Sequence, residues 1–79
     1  MAVITDADRD WSTGVAISSD EVWQCRQGMV LISTEASPAE NDGVLLQGRR
    51  GDAITISSGQ TVKYKLASGT EGMITRTAV

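Results

Sequence analysis

The last third of the chain, Asp52 to Val79, confines the fold more than any other stretch, because its apolar residues fall at alternate positions. Ile54 and Ile56 alternate with Ala53, Thr55 and Ser57. After Ser58-Gly59-Gln60, Val62, Tyr64 and Leu66 alternate with Thr61, Lys63, Lys65 and Ala67. Ser68-Gly69-Thr70 then precedes Gly72 to Val79. A period of two puts one set of side chains on a buried face and the other in water, the pattern of a half-buried strand. Loop length sets the register. Three-residue loops at 58–60 and 68–70 set Ile56 opposite Val62, Ile54 opposite Tyr64, Tyr64 opposite Ile74 and Leu66 opposite Gly72. Two-residue loops would set Ile56 against Thr61 and Leu66 against Glu71, turning apolar side chains to the wet face. An antiparallel meander is the expected structure.

The remainder reads in the same way. Trp11 to Ile17, Val22 to Gln27, Met29 to Thr34 and Val44 to Gln47 are expected strands, with Gly28 as a break between the second and third. Glu35 to Gly43 is a loop holding the only proline, Pro38, and it closes on the turn signal Asn41-Asp42-Gly43. Gly48 to Asp52 is a second loop. No segment repeats apolar residues at helical spacing. The fold class is therefore all-β: a small antiparallel β-sandwich or barrel over residues 11–79, with a C-terminal meander and a short acidic N-terminal arm over residues 1–10. The expected core is Val15, Ile17, Trp23, Val30, Ile32, Val44, Leu46, Ile54, Ile56, Val62, Tyr64, Leu66 and Ile74.

A chain of 79 residues makes one domain. At that size only about 60% of the unfolded chain's surface is buried, so the core is thin and wants a staple or a partner. Cys25 is the only cysteine, which excludes an internal disulfide, and with no histidine a structural zinc has too few ligands. Oligomerisation is what elimination leaves. A net charge of −3, with ten acids against seven bases, argues against a nucleic-acid surface. Two tryptophans and one tyrosine make a poor stacking platform for single strands. No apolar run is long enough to span a membrane. Met1 to Asp8 lacks the basic start and apolar stretch of a signal peptide, so residence in a reducing compartment, or exit by lysis or by a route without a cleaved signal, is expected.

Candidate chemistry is sparse. Asp6-x-Asp8-x-Asp10 resembles the opening of a calcium loop, but Trp11 and Ile17 stand where that loop needs glycine and a bidentate glutamate. Arg50-Gly51-Asp52 spells an adhesion tripeptide, yet Gly51 also suits a tight turn into the Ile54 strand. Cys25 has no histidine to activate it and reads as a buried thiol beside Trp23. Lys63 and Lys65 point away from the core and read as a solvated outer face, the alternative being an inter-subunit or capsid contact with acids such as Glu35 or Glu71. No catalytic residue, cofactor or metal is expected, and a non-enzymatic protein is the reading.

The residues also carry a resemblance. Gln24-Cys25-Arg26-Gln27-Gly28-Met29-Val30-Leu31-Ile32-Ser33-Thr34, Ala36-Ser37-Pro38-Ala39, Asp42-Gly43-Val44-Leu45-Leu46, Gly51-Asp52-Ala53-Ile54 and Gly59-Gln60-Thr61-Val62-Lys63-Tyr64-Lys65 together resemble small virion proteins. These are the head decoration proteins, head-spike bases and fibre or tail adaptors of tailed bacteriophages and gene transfer agents. The resemblance runs from about Val22 to Ile74 and rests on turn residues and strand alternation. It implies a structural protein of the virion, assembled in the host cytoplasm. It also implies closed homo-oligomers, a trimer or pentamer, docked on the major capsid protein or another virion protein, with a fibre at one end. Expected interface residues are Val3 and Ile4 of the arm, Trp11 at its base, Pro38 in the first loop, and Arg49 and Arg50 in the second. Two alternatives are a fibre or tail adaptor of the same particle and a stand-alone carbohydrate-binding module using Trp11, Asn41 and Asp42.

Overall fold

The computed structural model describes residues 2–79. Among them are six strands, β1 (Ala2–Ile4), β2 (Val15–Ala16), β3 (Glu21–Ser33), β4 (Val44–Gln47), β5 (Ala53–Ile56) and β6 (Thr61–Ala78), and one 3-10 turn, Gly48–Arg50. The fold is all-β and antiparallel. β3 and β6, the two long strands, pair with each other from Ser33 opposite Lys63 to Glu21 opposite Ala78. The short strands line their outer edges. β2 and β1 lie on the free side of β6, and β4 and β5 on the free side of β3.

The long ribbon bends where its pairing slips, between Cys25 and Val30 on β3. Met29 is opposite Ser68 and Gln27 opposite Met73, so residues 69–72 bulge out against Gly28. Extra residues on one strand bend it and sharpen its twist. Gly28 makes the corner: its φ is +75°, and a Cβ there would run into the carbonyl oxygen of Glu71. The bend turns the sheet's first half (β1, β5, the start of β3, the end of β6) over its second (β2, β4, the end of β3, the start of β6). Trp23 of the first half and Tyr64 of the second meet with ring centroids 6.1 Å apart at 48°. Around them Ile17, Cys25, Val30, Ile32, Leu46, Ile56, Val62, Leu66 and Ile74 form one buried cluster.

Several sequence expectations change in detail. The meander is absent. β5 pairs with β3, setting Ile54 opposite Trp23 and Ile56 opposite Glu21, while Tyr64 lies opposite Ile32, Leu66 opposite Val30 and Ile74 opposite Cys25. Alternation had specified the face each side chain takes, and Ile56, Val62, Tyr64, Leu66 and Ile74 are all buried. It carries no information about which strand lies alongside. Gly28 and Ser68-Gly69-Thr70, read as breaks, lie inside continuous strands, because glycine lets a bulge form without ending the ladder. The expected first strand shrinks to Val15–Ala16.

The N-terminal arm is also different. Its residues 2–4 form β1, laid against Arg76, Thr75 and Ile74 of β6. A row of unpaired peptide groups on β6 is a ready template for such pairing. In the core, Val44 stands at the sheet edge and is exposed, and Val15 and Ile54 are only partly buried. Leu31, outside the expected core, is buried on the opposite face.

Candidate functional site

The expected interface residues fall into three places. Val3 and Ile4 lie on β1: Val3 is 53% exposed, whereas Ile4 packs partly into the core opposite Ile74. Trp11 lies on the outer face of the second half, its indole nitrogen bonded to the Ala39 carbonyl, next in the chain to Pro38. Arg49 and Arg50 occupy the 3-10 turn after β4, beyond β3 from β1.

The Trp11 group is a clamp on the loop between β3 and β4. Register puts Leu31, Ser33, Lys63 and Lys65 on the outer face, since their neighbours Ile32, Tyr64 and Leu66 face the core. The loop folds back over them, and three side chains donate to its carbonyl oxygens. Trp11 Nε1 reaches Ala39 at 2.9 Å, Lys63 Nζ reaches Ala36 at 2.6 Å and Lys65 Nζ reaches Glu40 at 2.8 Å. Asp42 closes the loop from within, accepting from the Ala39 amide at 2.9 Å. Lys65 Nζ also sits 5.7 Å from the Trp11 ring centroid, a cation-π distance. Lys65 is only 5% exposed. Its stem covers apolar surface while its charge is spent on the carbonyl and the indole. The solvated lysine face expected from sequence thus holds for neither Lys65 nor the bond that Lys63 makes.

The acidic segment between β1 and β2 follows the open edge of β6. The Leu66 amide donates to the Asp8 carbonyl at 2.6 Å and the Ser12 amide to the Tyr64 carbonyl at 2.9 Å. Arg9 Nε donates to the Gly69 carbonyl at 3.0 Å. The Tyr64 hydroxyl donates to Asp6 at 2.7 Å. Burial, reinforced by the Asp6 carboxylate, pushes the Tyr64 pKa up to about 12. A cleft of about 300 Å³ lies here, lined by Asp6, Asp8, Asp10, Trp11, Ser12 and Tyr64. Asp8 spends one side-chain oxygen on the Asp10 amide at 2.8 Å. Among the described residues no group of three or more metal-ligating side chains is gathered.

The adhesion tripeptide is a turn. Gly51 is left-handed at φ +66°, and Asp52 reaches inward to accept from the Gln47 amide at 3.0 Å. Arg50 is 3.6 Å from Asp52 and exposed. Cys25 is fully buried, its Sγ facing the Gln27 and Gly28 carbonyls at 3.4 Å. Burial pushes its pKa up, which keeps it a thiol rather than a nucleophile.

Two features escaped the sequence reading. Glu21 and Arg76 form a two-pronged ion pair at 2.9 Å on both arms, and Trp23 Nε1 donates to the same Glu21 oxygen at 3.0 Å. The Arg76 guanidinium lies 5.5 Å from the Trp23 ring centroid. Its hydrogen bonds hold the Glu21 carboxyl below the usual range, and Glu21 raises the Arg76 pKa in return. Glu21 and Arg76 are far apart in sequence, and only the β3–β6 register joins them. The second feature is the exposed pair Val44 and Leu45 on β4. The run Val44-Leu45-Leu46 lacks the charge or proline that usually blunts an edge strand, and that absence is visible in the sequence.

Comparison with known proteins finds no matching family model, no matching characterised relative and no matching solved structure.

Proposed function

We propose that this chain is a non-enzymatic structural protein of a phage-like virion: a homo-oligomeric accessory of the head, a decoration or spike-base component that docks on the capsid and carries a fibre. The observation that carries the reading is the contrast between a self-tied interior and open flanks. The loop after β3 and the segment after β1 are fastened to the chain's own strands, while the sheet ends on both sides in short strands bearing exposed Val3, Val44 and Leu45. Large apolar side chains on an unpaired edge suit lateral contact with another protein. The resemblance to virion accessory proteins supplies the setting. A trimer or pentamer requires one surface of each copy to meet a different surface of the next.

The carbohydrate-binding alternative has less support, because the Trp11 indole nitrogen is bonded to Ala39 and its ring is shared with Lys65. A fibre or tail adaptor uses the same flanks and differs only in address. The test is to express the tagged chain in its source cells and fractionate released particles on a density gradient. Co-banding with filled heads is expected. Banding with tails alone favours the adaptor, and absence from particles overturns the virion reading.

A further inference from the structure

We infer that copies of this chain join head to tail, the arginine corner of one (Arg26, Arg49 and Arg50) receiving the acidic segment of the next (Asp6, Asp8 and Asp10). The inference rests on the self-association part of the reading above, names the surfaces that build the ring, and is independent of the virion part.

Seven residues of the chain are lysine or arginine. Four of them spend their charge inside it: Arg9 on the Gly69 carbonyl, Lys63 on that of Ala36, Lys65 on that of Glu40 and Arg76 on the Glu21 carboxylate. The other three, Arg26, Arg49 and Arg50, are exposed and gather at one corner beside β3. The 3-10 turn lies so close to β3 that a Cβ on Gly48 would stand 2.5 Å from the Gln27 nitrogen and 2.8 Å from the Arg26 carbonyl carbon. Gln24 knits the corner, accepting from Arg26 Nη1 at 2.8 Å and donating to the Gly51 carbonyl at 3.0 Å. Among the described residues only Asp52 comes within ion-pair distance of these arginines, 3.6 Å from Arg50, and its other oxygen is bonded to the Gln47 amide. Arginine keeps its charge at every working pH and presents a fork of donors that fits a carboxylate.

The opposite edge carries the complement. Asp6, Asp8 and Asp10 are exposed on the segment that follows the free side of β6. Asp6 commits one oxygen to the Tyr64 hydroxyl and Asp8 one to the Asp10 amide, and among the described residues the other carboxylate oxygens of the three take no hydrogen bond. Both patches sit level with the bend of the ribbon. The acidic segment is fastened at Leu66 and Gly69 of β6, and the arginine turn backs on Arg26 and Gln27 of β3. A two-fold contact through either edge sets like charge against like charge. Patches of opposite sign on opposite edges are satisfied when the acidic edge of one copy meets the basic edge of the next, an arrangement that closes into a ring. A chain of net charge −3 repels a polyanion as a whole, whereas a second copy brings its carboxylates to the corner at the matching level. Glu40 and Asp42 precede the far end of β4, so the length of that strand, about 10 Å, separates them from the corner and salt screens them.

The test is native mass by light scattering on the full chain, over a concentration series at low and at high salt. A discrete trimer or pentamer that dissociates more readily at high salt is expected. Arg49→Glu with Arg50→Glu, and separately Asp8→Lys with Asp10→Lys, give both edges one sign, and each pair of changes is expected to weaken association about tenfold. The four side chains are exposed, and the fluorescence of buried Trp23 checks that each double variant is folded. An equimolar mixture of the two double variants re-associates through alternating copies. Alternation around a ring needs an even number of copies, so the mixture is expected to recover association without returning a trimer or a pentamer. A ring indifferent to both charge reversals overturns the inference and leaves the homo-oligomer reading intact. A mixture no tighter than either variant alone does the same, and so does a wild-type assembly that stops at two copies. A monomer at every concentration overturns both the inference and the homo-oligomer reading.

Discussion

Between the two halves of the bent sheet, Trp23, Val30, Ile56, Val62 and Ile74 meet through apolar contact alone, each essentially without exposure. On the far side of β3 and β6, the loop after β3 is held by three directed bonds, from Trp11, Lys63 and Lys65 to single carbonyl oxygens. The first arrangement sums area over many contacts and is indifferent to small angular changes. The second depends on a few geometries, each worth little net because water competes for the same groups. The inner face should therefore set the stability of the whole molecule, and the outer face the local order of one loop.

The sharpest way to break this comparison is to remove the centre of the inner face. Trp23→Ala deletes the ring that spans the two halves and leaves Glu21 and Arg76 without their indole. A loss of about 3–5 kcal/mol is expected, read by urea denaturation. For a domain of this size that is a large share of total stability. A variant that unfolds at an unchanged midpoint would show that the halves are held by something other than the apolar contact.

The next effect comes from pH. Tyr64 ionises at about 12 in the fold and near 10 when unfolded. The buried phenol is stabilised as the neutral form, so its contribution is complete below pH 10 and is lost as pH rises toward 12. The expected loss over that window is about 2–3 kcal/mol. Alkaline denaturation followed by tyrosinate absorbance checks it. Asp6→Asn should shift the onset downward by less than the full displacement, because burial is the larger cause. Titration at the ordinary value in the folded protein would mean that Tyr64 is wet and the inner face open on the Asp6 side.

The two faces also differ in how much of them the sequence revealed. Alternation placed Ile17, Trp23, Val30, Ile32, Leu46, Ile56, Val62, Tyr64, Leu66 and Ile74 inside, and all are buried. Apolar patterning is a property of single residues, so one strand at a time suffices to read it. Pairing is a property of two segments. Nothing local to Ile54-Thr55-Ile56 distinguishes β3 from β6 as its neighbour, which is why the meander was expected. The clamp was illegible for a related reason. Lys65 and Trp11 donate to backbone carbonyls, and every residue offers one, so no side-chain pattern marks the acceptor. Leu31 is outside the expected core, yet it is buried on the outer face, where the loop after β3 folds back. Of the expected interface residues, Trp11 bonds within the chain to the loop that carries Pro38, while Val44, an expected core residue, stands exposed beside Leu45.

A smaller effect tests the clamp itself. Lys65→Met keeps the apolar stem over Leu31 and removes the bond to Glu40 and the charge over Trp11. About 1 kcal/mol of global stability should be lost, since the freed carbonyl is taken by water. Amide exchange in residues 36–43 should rise well beyond that in β3 or β6, because the loop opens locally while the sheet stays intact. Equal acceleration in loop and sheet would mean that the outer face supports the fold as a whole and that the contrast between the faces is false.

The smallest effect concerns the turn after β4. Arg50 approaches Asp52 only at 3.6 Å and its side chain is 67% exposed. Exposed pairs of this kind contribute at most about 0.5 kcal/mol and are screened by salt. Asp52 keeps its place without Arg50, because it bonds to the Gln47 amide and its own amide to the Gln47 carbonyl. Arg50→Ala should therefore leave the denaturation midpoint unchanged within error at low and high salt. A clear fall would place Arg50 among the groups that build the turn. An unchanged midpoint would mean that the turn is held by the bonds between Gln47 and Asp52 and owes nothing measurable to the exposed guanidinium.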